Sequence, residues 1–266
     1  MRTLLFCLVA GLLVGCENDD EAPLAEDVAM VVDHTVVSAP LVSVFPLLRA
    51  MRIGELPWDS ITGHTCASID SISGDTAVFP GNGPITLYLR YPDGGCTDVD
   101  GRTRAGALTV TLDDIMGQAP VAFTASSDNL TVTGTKVRFA LTGSVSGAYG
   151  TVELDSCFVW LSGAWALKSQ GLLTYQMTAG SATVDHTDDE YVINRTTNGL
   201  DRNGRAYTVS TSTQLRFELE CPWVSEGKEL ILPSGLAQRL LDHGAGTCDG
   251  YSGIIFNGDT IGLTIP

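Results

Sequence analysis

From about residue 65 onward, apolar and polar residues alternate one for one, and that period limits what the chain can fold into. Ile85, Leu87, Leu89 and Tyr91 fall on one side of an extended segment, and Thr86, Tyr88 and Arg90 on the other. Leu108, Val110 and Leu112 repeat the pattern against Thr109 and Thr111. So do Val137, Phe139 and Leu141, then Val152 and Leu154, Val209 with Thr211, and Leu215, Phe217 and Leu219. Ile254 and Phe256, then Ile261, Leu263 and Ile265, close the chain. Successive side chains of a strand point to opposite faces, so each run reads as a half-buried strand. Gly, Asn and Asp stand between the runs, as tight hairpin turns require, and the chain holds 29 glycines. The spacings leave no room for crossover helices, which excludes a doubly wound α/β fold. The expectation is a mainly β fold: one long antiparallel meander, sandwich-like or strongly curved.

Residues 26–53 follow a different period. Val28, Val32, Thr35, Ala39 and Val42 recur at spacings of three and four, and Phe45 and Leu48 continue the stripe. That is a helical pattern, with Glu26 and Asp27 placed to favour its N-terminus. Pro40 and Pro46 imply a kink or two shorter helices. This helical segment is expected to pack on the apolar face of the sheet, because a face of that size left bare would be a large exposed patch.

The first residues read as an address. Arg2 precedes an apolar run from Leu4 to Leu13, and small Gly15 stands before Cys16. A basic start, a short apolar core and small residues at the cut make a secretory signal. The run is about half the ~20 residues a membrane-spanning helix needs. Leu12-Leu13-Val14-Gly15-Cys16 resembles the lipobox of bacterial lipoproteins, and that resemblance implies a diacylglycerol on the Cys16 thiol. Two acyl chains suffice for stable anchoring where one does not. The expected organisation is a signal peptide at 1–15, a lipidated acidic tether at 16–25, and a single β-rich domain at 26–266.

Removing residues 1–15 from the 266 leaves 251, and losing Arg2 takes the formal net charge from −16 to −17. Lys136, Lys168 and Lys228 are the only lysines. Nucleic acid is therefore excluded as a partner, since phosphate contacts dominate that affinity. Anionic head groups should repel the chain as a whole, and cationic or neutral partners are favoured.

Five cysteines remain beyond Cys7 and Cys16: Cys66, Cys96, Cys157, Cys221 and Cys248. An oxidising compartment permits disulfides. Cys66 and Cys96 are centred on residue 81, inside Phe79-Pro80-Gly81-Asn82-Gly83. Cys221 and Cys248 are centred between 234 and 235, inside Pro233-Ser234-Gly235. Residues equidistant from a hairpin turn face each other across the two legs, within bonding reach. The pairs expected are Cys66–Cys96 and Cys221–Cys248, with Cys157, in an apolar run, a buried free thiol.

Gly95-Cys96-Thr97-Asp98-Val99-Asp100-Gly101-Arg102-Thr103-Arg104-Ala105-Gly106 resembles a segment of secreted lipoproteins of the Bacteroidota. Gly246-Thr247-Cys248-Asp249, followed by Phe256-Asn257-Gly258, does so too. The order of lipobox, acidic tether, helix, Cys-bearing hairpin, long β region, Cys-Pro-Trp and terminal Gly-Thr-Cys-Asp is similar as well. Gly250 departs from the pattern, where Asn is usual. The resemblance implies an outer-membrane lipoprotein, exposed at the cell surface through the acidic residues after Cys16, and it implies no catalytic residues.

Asp98-Val99-Asp100-Gly101-Arg102 has an echo in Asp201-Arg202-Asn203-Gly204-Arg205. Asp98, Asp100, Asp201 and Asn203 are candidate calcium ligands, because hard cations want clustered oxygen donors. Neither copy carries the distal Glu of a full calcium loop, and Asp-Gly and Asn-Gly are also common turn pairs. No cofactor is expected beyond that calcium candidate. Asp185, His186, Asp188, Asp189 and Glu190 form a dense acidic run that reads as a solvated loop tip rather than an ion site. His34, His64, His186 and His243 show no metal spacing. Gly143-Ser144-Val145-Ser146-Gly147 has Val where a nucleophile elbow needs Ser. Trp58, Trp160, Trp165 and Trp223 read as packing residues before sugar platforms. The function expected is non-catalytic: a binding, adhesive or assembly component of the cell envelope, held to the bilayer through Cys16. A glycan hydrolase using a carboxylate pair is the alternative, and two carboxylates about 5–9 Å apart in a cleft would mark it.

Overall fold

A computed structural model describes residues 25–42, 44–52, 64–115 and 120–265. The signal, the tether, Cys16 and Trp58 lie outside the described residues. Two helices come first, α1 (Ala25–Val42) and α2 (Phe45–Arg52). Thirteen strands follow: β1 (Ser68–Ser73), β2 (Ile85–Thr97), β3 (Thr103–Leu112), β4 (Val121–Val132), β5 (Thr135–Ser146), β6 (Tyr149–Leu161) and β7 (Ala164–Ala179), then β8 (Glu190–Leu200), β9 (Ala206–Glu218), β10 (Val224–Pro233), β11 (Arg239–Ala245), β12 (Tyr251–Phe256) and β13 (Asp259–Thr264). They form one antiparallel sheet in which spatial order equals chain order.

Turn chemistry sets the register. Thr133-Gly134, Ser162-Gly163 and Asn257-Gly258 each hold two consecutive residues at positive φ, and each closes a two-residue hairpin. Turns of that hand match the twist of the flanking strands. The apolar runs all point inward: Ile85, Leu87, Leu89, Tyr91, Val137, Phe139, Leu141, Leu215 and Phe217 are buried.

The sheet curls without closing. The β2–β3 turn reaches the β9–β10 connection, where Arg102 donates to the Pro222 carbonyl, and the rings of His64 and His186 meet at 5.9 Å. Three glycines of the sheet face aromatic rings. Gly143, Gly150 and Gly199 are register partners of Phe123, Tyr175 and Tyr207. A Cβ on any of them would come within 2.4 Å of the partner's ring. Each aromatic side chain thus packs against a bare backbone where a side chain would clash.

The helices fill the concave face. Phe45 of α2 packs against Tyr175, Tyr191 and Phe217, with ring centroids 5.0, 4.9 and 5.6 Å away. Met30 and Val31 of α1 join a second apolar cluster with Tyr207, Val209, Ile231, Leu241, Ile254 and Leu263. The two helices separated by residues 43–44 bear out the break expected near Pro40 and Pro46. Pro46 occupies the first turn of α2, where its missing N–H is tolerated. The stripe needs a correction. Val28, Val32 and Thr35 are only half-buried, while Met30, Val31, Asp33, His34, Val37 and Ser38 are the buried side of α1. Asp33 and His34 lie inward because Arg202, Arg195 and Glu229 partner them there, and Ser38 bonds to the His34 carbonyl.

Candidate functional site

The centre of the molecule holds a charged cluster between α1 and the sheet. Glu229 of β10 and His34 of α1 are both 0 % exposed. Glu229 accepts two hydrogen bonds from the Arg195 guanidinium of β8. His243 of β11 donates from Nε2 to the same carboxylate at 3.0 Å. Burial alone would raise the Glu229 pKa, but Arg195, His34 and the His243 hydrogen bond outweigh it and hold it well below the usual range. Arg195, Glu229 and His243 sit at strand positions whose parity faces inward, so alternation places them there as it places leucines elsewhere.

His34 shows what the cluster can do chemically. Arg195 Nη2 lies 3.2 Å from His34 Nε2. Glu229 Oε2 lies 3.5 Å from the same nitrogen, so Nε2 faces both a donor and an acceptor. Burial lowers the His34 pKa, against the pull of Glu229, which fits a neutral ring. Nδ1 faces Ser38 Oγ at 3.5 Å, and Ser38 Oγ donates to the His34 carbonyl at 2.7 Å. Ser38, His34 and Glu229 thus stand in line, with Ser38 on the Nδ1 side of the ring and Glu229 on the Nε2 side. A nucleophile must give its proton to the imidazole, and here the serine proton points to the helix backbone. A cavity of about 40 Å³ opens beside the cluster, lined by Ser38, Arg102, Arg195, Trp223 and His243 among others. That is room for little more than a water molecule.

Two ion pairs fasten the same helices elsewhere. Asp33, also 0 % exposed, accepts from the Arg202 backbone at 2.9 Å and from its guanidinium. Arg49 of α2 pairs with Asp189 at 2.5 Å and donates to the carbonyls of Thr183 (2.7 Å) and Asp185 (3.2 Å). The acidic run of 185–190 is therefore not wholly a solvated tip: Asp189 is buried and the loop is folded around Arg49. Asp185 stays exposed.

The candidate calcium residues fall into two matching turns. Asp98 N donates to Arg102 O at 2.9 Å and Asp201 N to Arg205 O at 3.0 Å, and both turns repeat the Gly-to-Asp backbone bond at 2.9 Å. Asp100 is held by Arg104 through bonds of 2.7 and 2.6 Å. Arg104 also reaches Asp98 at 3.2 Å, and Thr65 Oγ1 donates to Asp98 at 2.9 Å. Burial raises the pKa of Asp98. The same effect acts on Asp100, but Arg104 overcomes it and the pKa falls. Asp201 Oδ1 caps its own turn, accepting from Asn203 N at 2.9 Å and Arg205 N at 2.8 Å. The cation nearest Asp98 and Asp100 is thus a guanidinium. No group of three or more metal-type side chains comes together among the described residues.

Both expected disulfides are formed, with Cα separations of 6.1 Å for Cys66–Cys96 and 5.8 Å for Cys221–Cys248, and Cys157 is buried and free. Each bridge lies just beyond the paired ends of its hairpin, β1–β2 or β10–β11. The fold also pairs the four histidines: His34 with His243 across Glu229, and His64 with His186. No local spacing could have announced this, because the partners lie 209 and 122 residues apart.

The outer face of the sheet is open. A groove of about 390 Å³ crosses β5–β9, lined by Ser144, Ser146, Tyr149, Thr151, Gln176 and Asn194 among others. A second hollow of about 280 Å³ lies over Phe158, Lys168 and Asn198. None of these three concavities has an Asp or Glu in its lining. No protein-family model matches the chain, and no curated protein or solved structure matches it either.

Proposed function

We propose that this protein is a lipid-anchored envelope component, exposed at the cell surface, that binds a partner through the outer face of its sheet and catalyses no reaction. The observation that carries the reading is the division of polar chemistry between the two faces. Inside, the carboxylates of Glu229, Asp33, Asp100 and Asp189 are each held by an arginine. The Asp33 and Asp189 pairs fix α1 and α2 in place, and the arginines leave none of the four carboxylates free to move a proton. Outside, the two concavities are open and have no carboxylate in their lining, unlike the cleft a glycosidase needs. An antiparallel sheet with one covered and one solvated face is suited to broad contact.

Anchoring comes from the sequence: Cys16 follows a signal-like run and precedes acidic residues. Two disulfides fit an oxidising compartment. The test is labelled-palmitate incorporation by the native chain and by Cys16→Ala, with protease treatment of intact cells. The native chain should be labelled, pelleted with membranes and cleaved from outside, and Cys16→Ala should lose label and pelleting. Label retained by Cys16→Ala would refute the anchor. Hydrolysis of envelope or dietary glycan by the purified protein at an ordinary enzymatic rate would refute the non-catalytic reading.

A further inference from the structure

In a chain of formal charge −16 with three lysines, two of the lysines share one patch with two tryptophans. The patch lies on the outer face of β5, β6 and β7, near the Gly134 and Gly163 hairpins. One row across the strands is Arg138, Phe158 and Lys168, which are register partners. The next pairs Trp160 with Trp165, whose rings meet edge to face at 5.2 Å. Lys136 Nζ stands 5.6 Å from both indole rings. The Arg138 guanidinium lies 4.6 Å from Phe158 and 5.0 Å from Trp165, and Lys168 Nζ is 5.7 Å from Phe158. Trp160 is 38 % exposed. Inward residues of the same strands, Val137, Val159 and Leu167, already fill the core, so these aromatics are not needed to complete it.

The patch sits at the end of the molecule where the chain enters the fold. Lys168 is the register partner of Leu200, which leads into the turn carrying Arg202. Arg202 holds Asp33 in the first half of α1. From there the helices run to Arg49, which is bound by the loop at the opposite end of β7 and β8. Ala25 is nine residues beyond Cys16, a reach of at most ~30 Å when extended. A lipid on Cys16 would therefore hold this end, and not the 180–189 loop, next to the bilayer.

We infer that Lys136, Arg138, Phe158, Trp160, Trp165 and Lys168 form a docking face for the surface of a phospholipid bilayer, which orients the anchored protein. This rests on the lipid-anchor reading for its geometry. The chemistry is that of an interface: indole rings settle at head-group level, and lysine and arginine meet lipid phosphates within a Debye length of the surface. The net charge still repels an anionic surface, but at that range the local patch decides, and the anchor keeps its effective concentration high.

The test uses vesicles of phosphatidylethanolamine and phosphatidylglycerol with brominated acyl chains. Tryptophan emission of the acylated full chain should be quenched, and Trp160→Phe with Trp165→Phe should abolish the quenching. The unacylated Cys16→Ala chain should bind the same vesicles weakly. Lys136→Glu with Lys168→Glu should lower that binding by about 25-fold or more, roughly fivefold for each lost cation. Circular dichroism checks that the variants fold. Palmitate incorporation without quenching overturns the docking face and spares the anchor. Quenching of Cys16→Ala when the native chain takes up no palmitate supports the docking face while the anchor falls. Binding to a uronate polymer but not to vesicles overturns the proposal in favour of an anionic glycan.

Discussion

Replacing Glu229 by Gln should be among the most damaging single substitutions in this protein. The side chain is 0 % exposed and compensates the Arg195 guanidinium, which is itself only 4 % exposed. A glutamine keeps the volume and removes the charge, so Arg195 stays buried with no counter-ion, next to a His34 ring that burial already holds neutral. Removing one partner of a buried pair costs about 3–5 kcal/mol, against about 5–15 kcal/mol for a typical domain. At about 2–4 °C per kcal/mol for a chain of this size, the midpoint should fall by roughly 6–20 °C. Urea unfolding at pH 7.5, followed by far-ultraviolet circular dichroism with disulfides intact, measures the loss. Arg195→Met added to Glu229→Gln should recover much of it, since an apolar replacement of both partners is often near neutral. The same cluster sets a pH dependence. His34 has its folded pKa below the ordinary value of 6.5, so its contribution is full above 6.5 and is lost as pH falls from there towards the folded pKa. Glu229 likewise has a depressed folded pKa, and its contribution fails only at lower pH, from about 4.5 downward. Stability should thus decline first below pH 6.5. A loss under about 1 kcal/mol for Glu229→Gln, or no recovery in the double variant, would refute the reasoning.

Other tests follow from the same structure. Cys157 is 1 % exposed and burial pushes its thiol up to about 12, so it should resist thiol reagents in the native protein and react once in denaturant. Non-reducing peptide mapping should find Cys66–Cys96 and Cys221–Cys248, and removing either bridge by paired Ala substitution should cost about 3–4 kcal/mol. Gly150→Val should destabilise by several kcal/mol in the same urea assay, because its Cβ would lie 2.4 Å from the Tyr175 ring and overpacking costs about 1–3 kcal/mol before strand distortion. Deleting residues 26–53 should expose the concave face and cause aggregation visible by light scattering. A monodisperse product would show that α1 and α2 are dispensable to the core.

The sequence by itself determined the strands, the hairpins and the cysteine pairing, because each depends on neighbours along the chain. Alternation at Ile85–Tyr91 needs only the two-residue period of a strand. Asn257-Gly258 needs only its own φ angles. The meander made Cys221 and Cys248 neighbours because both lie at similar distances from one turn. Only the tertiary structure decided what α1 buries. Asp33, His34 and Ser38 look solvent-facing in sequence, since an isolated buried charge is prohibitive. Ser38 bonds within its own helix, but the partners of Asp33 and His34, namely Arg202, Arg195 and Glu229, arrive from more than 160 residues away, and they arrive at all only because the sheet curls over the helix. The packing of the concave face in turn depends on Gly143, Gly150 and Gly199 each lying opposite an aromatic ring, a match of residues on different strands. The basic aromatic patch was hidden for the same reason: Lys136, Phe158, Trp160, Trp165 and Lys168 are separate residues in the chain and one surface only after β5, β6 and β7 align. Periodicity fixes which face a residue points to, whereas cross-strand register fixes what it meets there.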